Sequence, residues 1–77
     1  MTVRIDADAI HLIGRCAAED ADTLLVALQE APGQAVDLGA TQRLHLAVAQ
    51  VLLAARPPVR GVPAGDFLAR YLLNLLQ

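Results

Sequence analysis

The chain has 77 residues, of which 56% are hydrophobic and 3% aromatic, and its formal net charge is −2 at pH 7. This length allows a single domain, residues 1–77, with an aliphatic core, and its six basic residues, all arginine, lack the clustering expected of a nucleic-acid binder. The longest apolar run, Leu44–Ala55, is too short for membrane insertion, and the first residues lack the apolar segment of a signal peptide.

Side chains suited to catalysis or metal binding are sparse. The sequence has no serine, one cysteine and two histidines, which excludes a serine nucleophile, an internal disulfide and the paired-ligand spacing of a zinc site. We therefore expect no enzyme activity, no metal and no cofactor. A single cysteine, Cys16, fits a reducing compartment, which predicts a cytoplasmic protein.

The first half of the chain predicts a β-hairpin followed by a helix. Apolar and polar residues alternate over Val3–Asp6, and Ile10–Ile13 is a second apolar run close enough to pair with it in antiparallel fashion. The segment Glu19–Glu30 begins with acidic residues and carries leucines at helical spacing, and Pro32 and Gly33 follow it. These features predict a helix over Glu19–Glu30.

The second half continues the alternation of strands and helices. We expect a strand at Ala35–Leu38, a polar loop at residues 41–43, a helix at His45–Arg56, a strand at Val59–Val62 and a helix at Phe67–Leu76. The order β-β-α-β-α-β-α predicts an α/β fold. Its mixed four-stranded sheet has an antiparallel first pair and helices mainly on one face.

Three stretches of this pattern resemble STAS domains, the fold of bacterial anti-sigma factor antagonists. They are Ile10–Gly14 before the acidic start of a helix, Val36–Leu38, and Leu44–Ala47 leading into an apolar helix. The resemblance implies a small STAS-like (anti-sigma factor antagonist-like) domain. Such a domain is a non-catalytic interaction module of a bacterial regulatory system, whose protein partner is a regulatory kinase, an anti-sigma-like factor or a transporter subunit.

STAS domains often carry an acidic residue followed by Ser or Thr at the start of the helix after the aspartate-bearing strand, and a kinase phosphorylates that hydroxyl. If Asp37 is the aspartate, His45 and Leu46 occupy those two positions. Leu46 has no hydroxyl, so the resemblance implies binding without this phospho-switch. Thr41 is the nearest hydroxyl, but it lies several residues too early.

A partner-binding surface is expected at the loop after the third strand and the first turn of the following helix. Asp37 is expected chiefly to accept backbone N–H bonds in its loop and His45 to be a helix cap or a surface residue, with direct partner contact as the alternative for both. We expect His11 to be a satisfied or half-exposed strand histidine and Cys16 a buried or semi-buried thiol. The predicted surface comprises Asp37, Gly39, Thr41, Gln42, Arg43, His45 and Leu46.

Three other functions remain open at this point. One is an accessory subunit of a membrane transporter. Another is a small-ligand or nucleotide-binding STAS domain, which needs a phosphate-accepting loop near Gly39 with Arg43 as its basic residue. The third is a structural homodimer, because the helix over His45–Arg56 has apolar residues on more than one face.

Overall fold

The computed structural model describes residues 3–61, 63, 71, 74 and 75, and within them the element order is β-β-β-α-β-β-α-β. The predicted helix Phe67–Leu76 lies outside the described residues except for Tyr71, Asn74 and Leu75, and so does Val62 of the predicted fourth strand. The elements are β1 (Val3–Ile5), β2 (Ala9–Leu12), β3 (Gly14–Cys16), α1 (Asp20–Glu30), β4 (Ala35–Asp37), β5 (Thr41–Leu44), α2 (Leu46–Ala55) and β6 (Val59–Arg60).

The main sheet is mixed and four-stranded, with the strand order β1-β2-β4-β6. β1 runs antiparallel to β2, while β2 and β4, and then β4 and β6, are parallel. The predicted α/β class, mixed sheet and antiparallel first pair are therefore confirmed. Both crossovers, through α1 and α2, step in the same direction across the sheet, so right-handed connections place both helices on one face.

A second, two-stranded sheet extends the two central strands. β3 and β5 run parallel, and the predicted polar loop at residues 41–43 is wrong because Thr41–Leu44 forms β5. The pairing shifts from Gly14 opposite Thr41 to Arg15 opposite Arg43, which leaves Gln42 as an extra residue in a β-bulge. The bulge makes the burial pattern of β5 buried, exposed, exposed, buried, and this hides the period of two by which a strand is recognised.

One aliphatic core joins both helices to the sheet. Burial of each large aliphatic side chain contributes roughly 1.5–3 kcal/mol, so this cluster supplies most of the driving force for folding. Cys16 is buried in it, as expected. The core residues include Val3, Ile10, Leu12, Leu24, Val36, Leu38, Leu44, Val48 and Leu52.

The ends of α2 agree with the sequence to within one residue. His45 is its N-cap, and its Nδ1 accepts a hydrogen bond from the backbone N–H of Ala47 at 3.0 Å. Arg56 closes the helix in the left-handed region, with φ 47°, and donates its N–H to the carbonyl of Leu52. In the part of the chain that the structure describes, no helix has both the length and the apolar character required to cross a membrane.

Candidate functional site

The residues predicted to bind a partner separate into two groups at opposite ends of β5. Asp37 and Gly39 precede this strand, whereas His45 and Leu46 follow it. Four extended residues span roughly 10–13 Å, so the two groups do not form a single loop as expected. They are two neighbouring sites with different chemistry.

The second group forms an exposed surface at the start of α2, which we call the α2-entry surface: Gln42, Arg43, His45 and Leu46. All four residues are exposed, and the side chain of Leu46 is 58% accessible. The capping bond from Ala47 to the ring of His45 fixes the chain as it enters the helix. Leu46 is therefore presented to solvent on an ordered backbone.

Thr41 does not belong to this surface. Its side chain is 1% exposed, and its hydroxyl donates a 2.7 Å hydrogen bond to the carbonyl oxygen of Leu12. The inclusion of Thr41 in an exposed binding surface is therefore wrong. The cause is the start of β5 at this residue, which turns its side chain into the core.

An open groove of about 230 Å³ lies beside the α2-entry surface. Its polar lining comes from Arg15, Arg43 and His45, which belong to β3, β5 and the α2 cap. Sequence reasoning missed Arg15, because only the pairing of β3 with β5 places it opposite Arg43. Among the residues that the structure describes, no carboxylate lines the groove, so its charge favours a negatively charged group.

The first group belongs to a charged cluster on the main sheet, which we call the Asp37 cluster: Asp6, His11, Asp37 and Arg60. His11 Nε2 lies 2.7 Å from Asp6 Oδ2, and its Nδ1 lies 3.6 Å from Asp37 Oδ2. Arg60 Nε donates to the same Asp37 oxygen at 3.3 Å. His11, Asp37 and Arg60 are direct neighbours in the strand register, so they form one row across β2, β4 and β6.

Asp6 closes the β1–β2 hairpin with its carboxylate. Its Oδ1 accepts backbone N–H bonds from Asp8 at 2.9 Å and Ala9 at 3.0 Å. These two bonds, together with the contact to His11, lower the pKa of Asp6 from 3.8 to about 2. The carboxylate is therefore ionised whenever the hairpin is formed at ordinary pH.

Asp37 fills the space between two glycine turns. Its Oδ1 accepts the N–H of Gly39 at 2.8 Å, and this bond, followed by the interaction with Arg60, lowers the pKa of the carboxyl. The expectation that Asp37 accepts backbone N–H bonds in its loop is confirmed. A Cβ on Gly61 would lie 2.6 Å from Oδ1 and 2.6 Å from the backbone nitrogen of Gly39, and Gly61 has φ +83°.

The Asp37 cluster has the character of a structural network. Its carboxylates already accept bonds from backbone amides, an arginine and a histidine, as expected for His11. Among the residues that the structure describes, no group of three or more His, Cys, Asp and Glu side chains is placed to hold a metal ion. The cluster therefore links neighbouring strands of the main sheet to one another. The α2-entry surface and its groove, in contrast, present exposed polar and apolar side chains to which a partner could bind.

Comparisons of the chain with protein-family models, with curated proteins and with solved structures found no significant match. The resemblance to STAS domains rests on the quoted stretches of sequence and has no support from these comparisons.

Proposed function

We propose that this chain is a non-catalytic protein-interaction module of STAS type, anti-sigma factor antagonist-like, that acts in a bacterial regulatory system. Its docking surface is the α2-entry surface. The connections of β2 through α1 to β4, and of β4 through α2 to β6, support this reading because they follow the predicted alternation of strands and helices, to which the structure adds β3 and β5.

The observation that carries the proposal is the exposure of Leu46. A large apolar side chain that is 58% exposed at the first position of a helix contributes little to the core. Complete burial of a leucine contributes roughly 1.5–3 kcal/mol, so covering the 58% that is still exposed would contribute about 1–2 kcal/mol to binding. The polar residues Gln42, Arg43 and His45, which precede Leu46 closely in the chain, are exposed as well, and an apolar centre with a polar rim is the usual composition of a protein interface.

The module is proposed to bind without a phospho-switch. Leu46 stands at the position of the phosphorylated hydroxyl in the resemblance and cannot carry phosphate. Thr41 is buried and bonded to the carbonyl of Leu12, so a kinase would reach it only after β5 had separated from the core. Partner choice then depends on the surface itself and not on a covalent mark.

An affinity capture with identification of the retained protein tests the docking surface. We expect one partner to be held by the wild-type chain and lost with Leu46→Asp, because the substitution places a charge at the apolar centre of the contact. Val26→Asp is the matched control, since Val26 is 50% exposed on α1 and lines a hollow with Ile5 whose described lining includes none of the α2-entry residues.

Both variants are first compared with the wild type by circular dichroism, so that loss of the fold is separated from loss of binding. Retention of the same partner by Leu46→Asp, or its loss with Val26→Asp alone, would place the contact elsewhere and contradict the proposal.

A further inference from the structure

Two arginines lie side by side at the edge of the groove next to the α2-entry surface. Arg15 and Arg43 are opposite each other in the parallel pairing of β3 and β5, and both are exposed. Side chains directly opposite on neighbouring strands have Cβ atoms about 5 Å apart, and like charges at this distance oppose sheet formation. Two like charges in this position do not stabilise the pairing of β3 and β5, and a negative group bound between them would offset their repulsion.

The β-bulge at Gln42 is what brings the two guanidinium groups to the same side. Without the extra residue, strict alternation from the buried Thr41 would direct Arg43 inward and Leu44 outward. With it, Leu44 is opposite Cys16 in the core and Arg43 is opposite Arg15 in solvent. Bulges commonly re-aim side chains at binding sites in this way.

Neither arginine has a carboxylate partner within the described residues, where the ion pairs involve Asp6, His11, Asp37 and Arg60 instead. At the edge of the groove, the carboxylate of Asp20 accepts the N–H of Ala17 at 2.7 Å and is outside the lining. The two guanidinium groups can therefore bind a negatively charged group of another molecule.

His45 adds a third donor to the same groove. Its Nδ1 accepts the N–H of Ala47, so the neutral ring carries its proton on Nε2. An N–H at Nε2 can donate to an oxyanion, as the arginines do. Arg15, Arg43 and His45 thus bring donors from β3, β5 and the cap of α2 to one groove.

The size of the groove limits what it can take. At about 230 Å³ it is smaller than the roughly 300–1,000 Å³ of sites that enclose a whole small molecule. It can accommodate a single charged group, and Arg43 and His45 are shared with the surface around Leu46. These points favour the side chain of a docked protein over a separate nucleotide.

We propose that Arg15, Arg43 and His45 form an oxyanion site for an acidic segment of the partner, with a glutamate, aspartate or phosphorylated side chain seated between the two guanidinium groups. This inference rests on the proposed function, because the partner's apolar residues would cover Leu46 while its negative group enters the groove. Paired guanidinium groups suit both carboxylate and phosphate oxygens, which accept two hydrogen bonds at once.

A titration followed by ¹⁵N NMR tests the site. The probes are three ten-residue peptides that are identical except beside a central leucine, where they carry two glutamates, two phosphoserines or two glutamines. We expect the two anionic peptides to shift the resonances of Arg15, Arg43 and His45, with affinity falling as salt is added. The comparison of glutamate with phosphoserine shows which oxyanion is preferred.

The double variant Arg15→Gln/Arg43→Gln should lose at least tenfold in affinity for the anionic peptides. Arg4→Gln/Arg56→Gln is the matched control, because it removes the same charge from two exposed arginines outside the groove. Equal shifts with the glutamine peptide, absence of shifts with both anionic peptides, or equal losses in the two double variants would overturn the proposal.

The capture experiment separates this inference from the proposed function. If the partner is lost with Leu46→Asp but bound with full affinity by Arg15→Gln/Arg43→Gln, the docking surface stands and the oxyanion site fails. If the anionic peptides bind as expected and Leu46→Asp still holds the partner, the oxyanion site stands and the proposed docking surface fails.

Discussion

Two aspartates at the ends of strands hold neighbouring segments of this chain together. Asp6 and Asp37 each accept backbone N–H bonds through one carboxylate oxygen and reach side chains of other strands through the second. The backbone bonds are local and could be anticipated for Asp37 from its place before a glycine turn. The contacts to His11 and Arg60 depend on strand register, which no local pattern encodes.

The lowered pKa of Asp6 predicts a loss of stability in acid. Its pKa is about 2 in the folded chain against 3.8 for the ordinary carboxyl, so the ionised form stabilises the fold above about pH 4. This contribution is lost as the pH falls from 4 toward 2. Urea titrations over this range should show a falling midpoint in the wild type and a shallower fall in Asp6→Asn, which cannot titrate.

Asp8→Asn is the control for the acid experiment, because it removes a neighbouring carboxylate that no described hydrogen bond uses. The control should keep the wild-type fall. An unchanged fall in Asp6→Asn would mean that the hairpin does not depend on the ionised carboxylate of Asp6.

The helices and strands of this chain differ in how well the sequence predicts them. The bounds of α2 were predicted to within one residue. His45 caps the first turn of the helix, and Pro57 lacks the backbone N–H that would continue it. β3 and β5 were missed, since both are short and the bulge removes the alternation of buried and exposed residues. The groove was missed with them, because Arg15 becomes a site residue only through this pairing.

Because Arg15 and Arg43 are opposite each other on β3 and β5, we expect that a substitution which removes anion binding also stabilises the folded chain. Arg43→Glu places a carboxylate opposite Arg15, which replaces repulsion by attraction and should raise the free energy of unfolding by roughly 0.5–1 kcal/mol. The same variant should lose its affinity for the anionic peptides. Urea denaturation measures the first effect and the NMR titration the second.

Gln42→Glu is the control for this pair, because Gln42 is exposed and lies in the bulge without a partner in the β3 register. It should change stability by less than about 0.5 kcal/mol. A destabilised Arg43→Glu would show that the two guanidinium groups do not oppose each other in the folded chain.

At the scale of the molecule, stability depends on a small aliphatic core. A chain of 77 residues has a stability on the order of 4–12 kcal/mol by typical values per residue. The α/β class and the mixed sheet followed from the predicted order of strands and helices, and the aliphatic character of the core followed from the composition. The two-sheet arrangement did not, because it arises from how strands meet and not from the composition of any one of them.

Shortening a buried side chain in this core should remove a large part of the free energy of unfolding. Leu52 is fully buried on α2, and Leu52→Ala should cost about 2–5 kcal/mol through lost burial and the cavity that remains. Thermal denaturation followed by circular dichroism should show a large fall in the melting temperature. Leu25→Ala, at an exposed position on α1, is the control and should fall far less. Comparable losses in the two variants would contradict this placement of the core.

The bare α-carbon of Gly61 has a further consequence. It lets the chain bend immediately after Arg60 and pass over the Asp37 carboxylate, at a place where a methyl group would collide with Gly39. Any other amino acid there would push β6 away from β4 and draw Arg60 away from its acid. The attachment of β6 to the sheet, and with it the row of charges His11, Asp37 and Arg60, therefore depends on the absence of one methyl group.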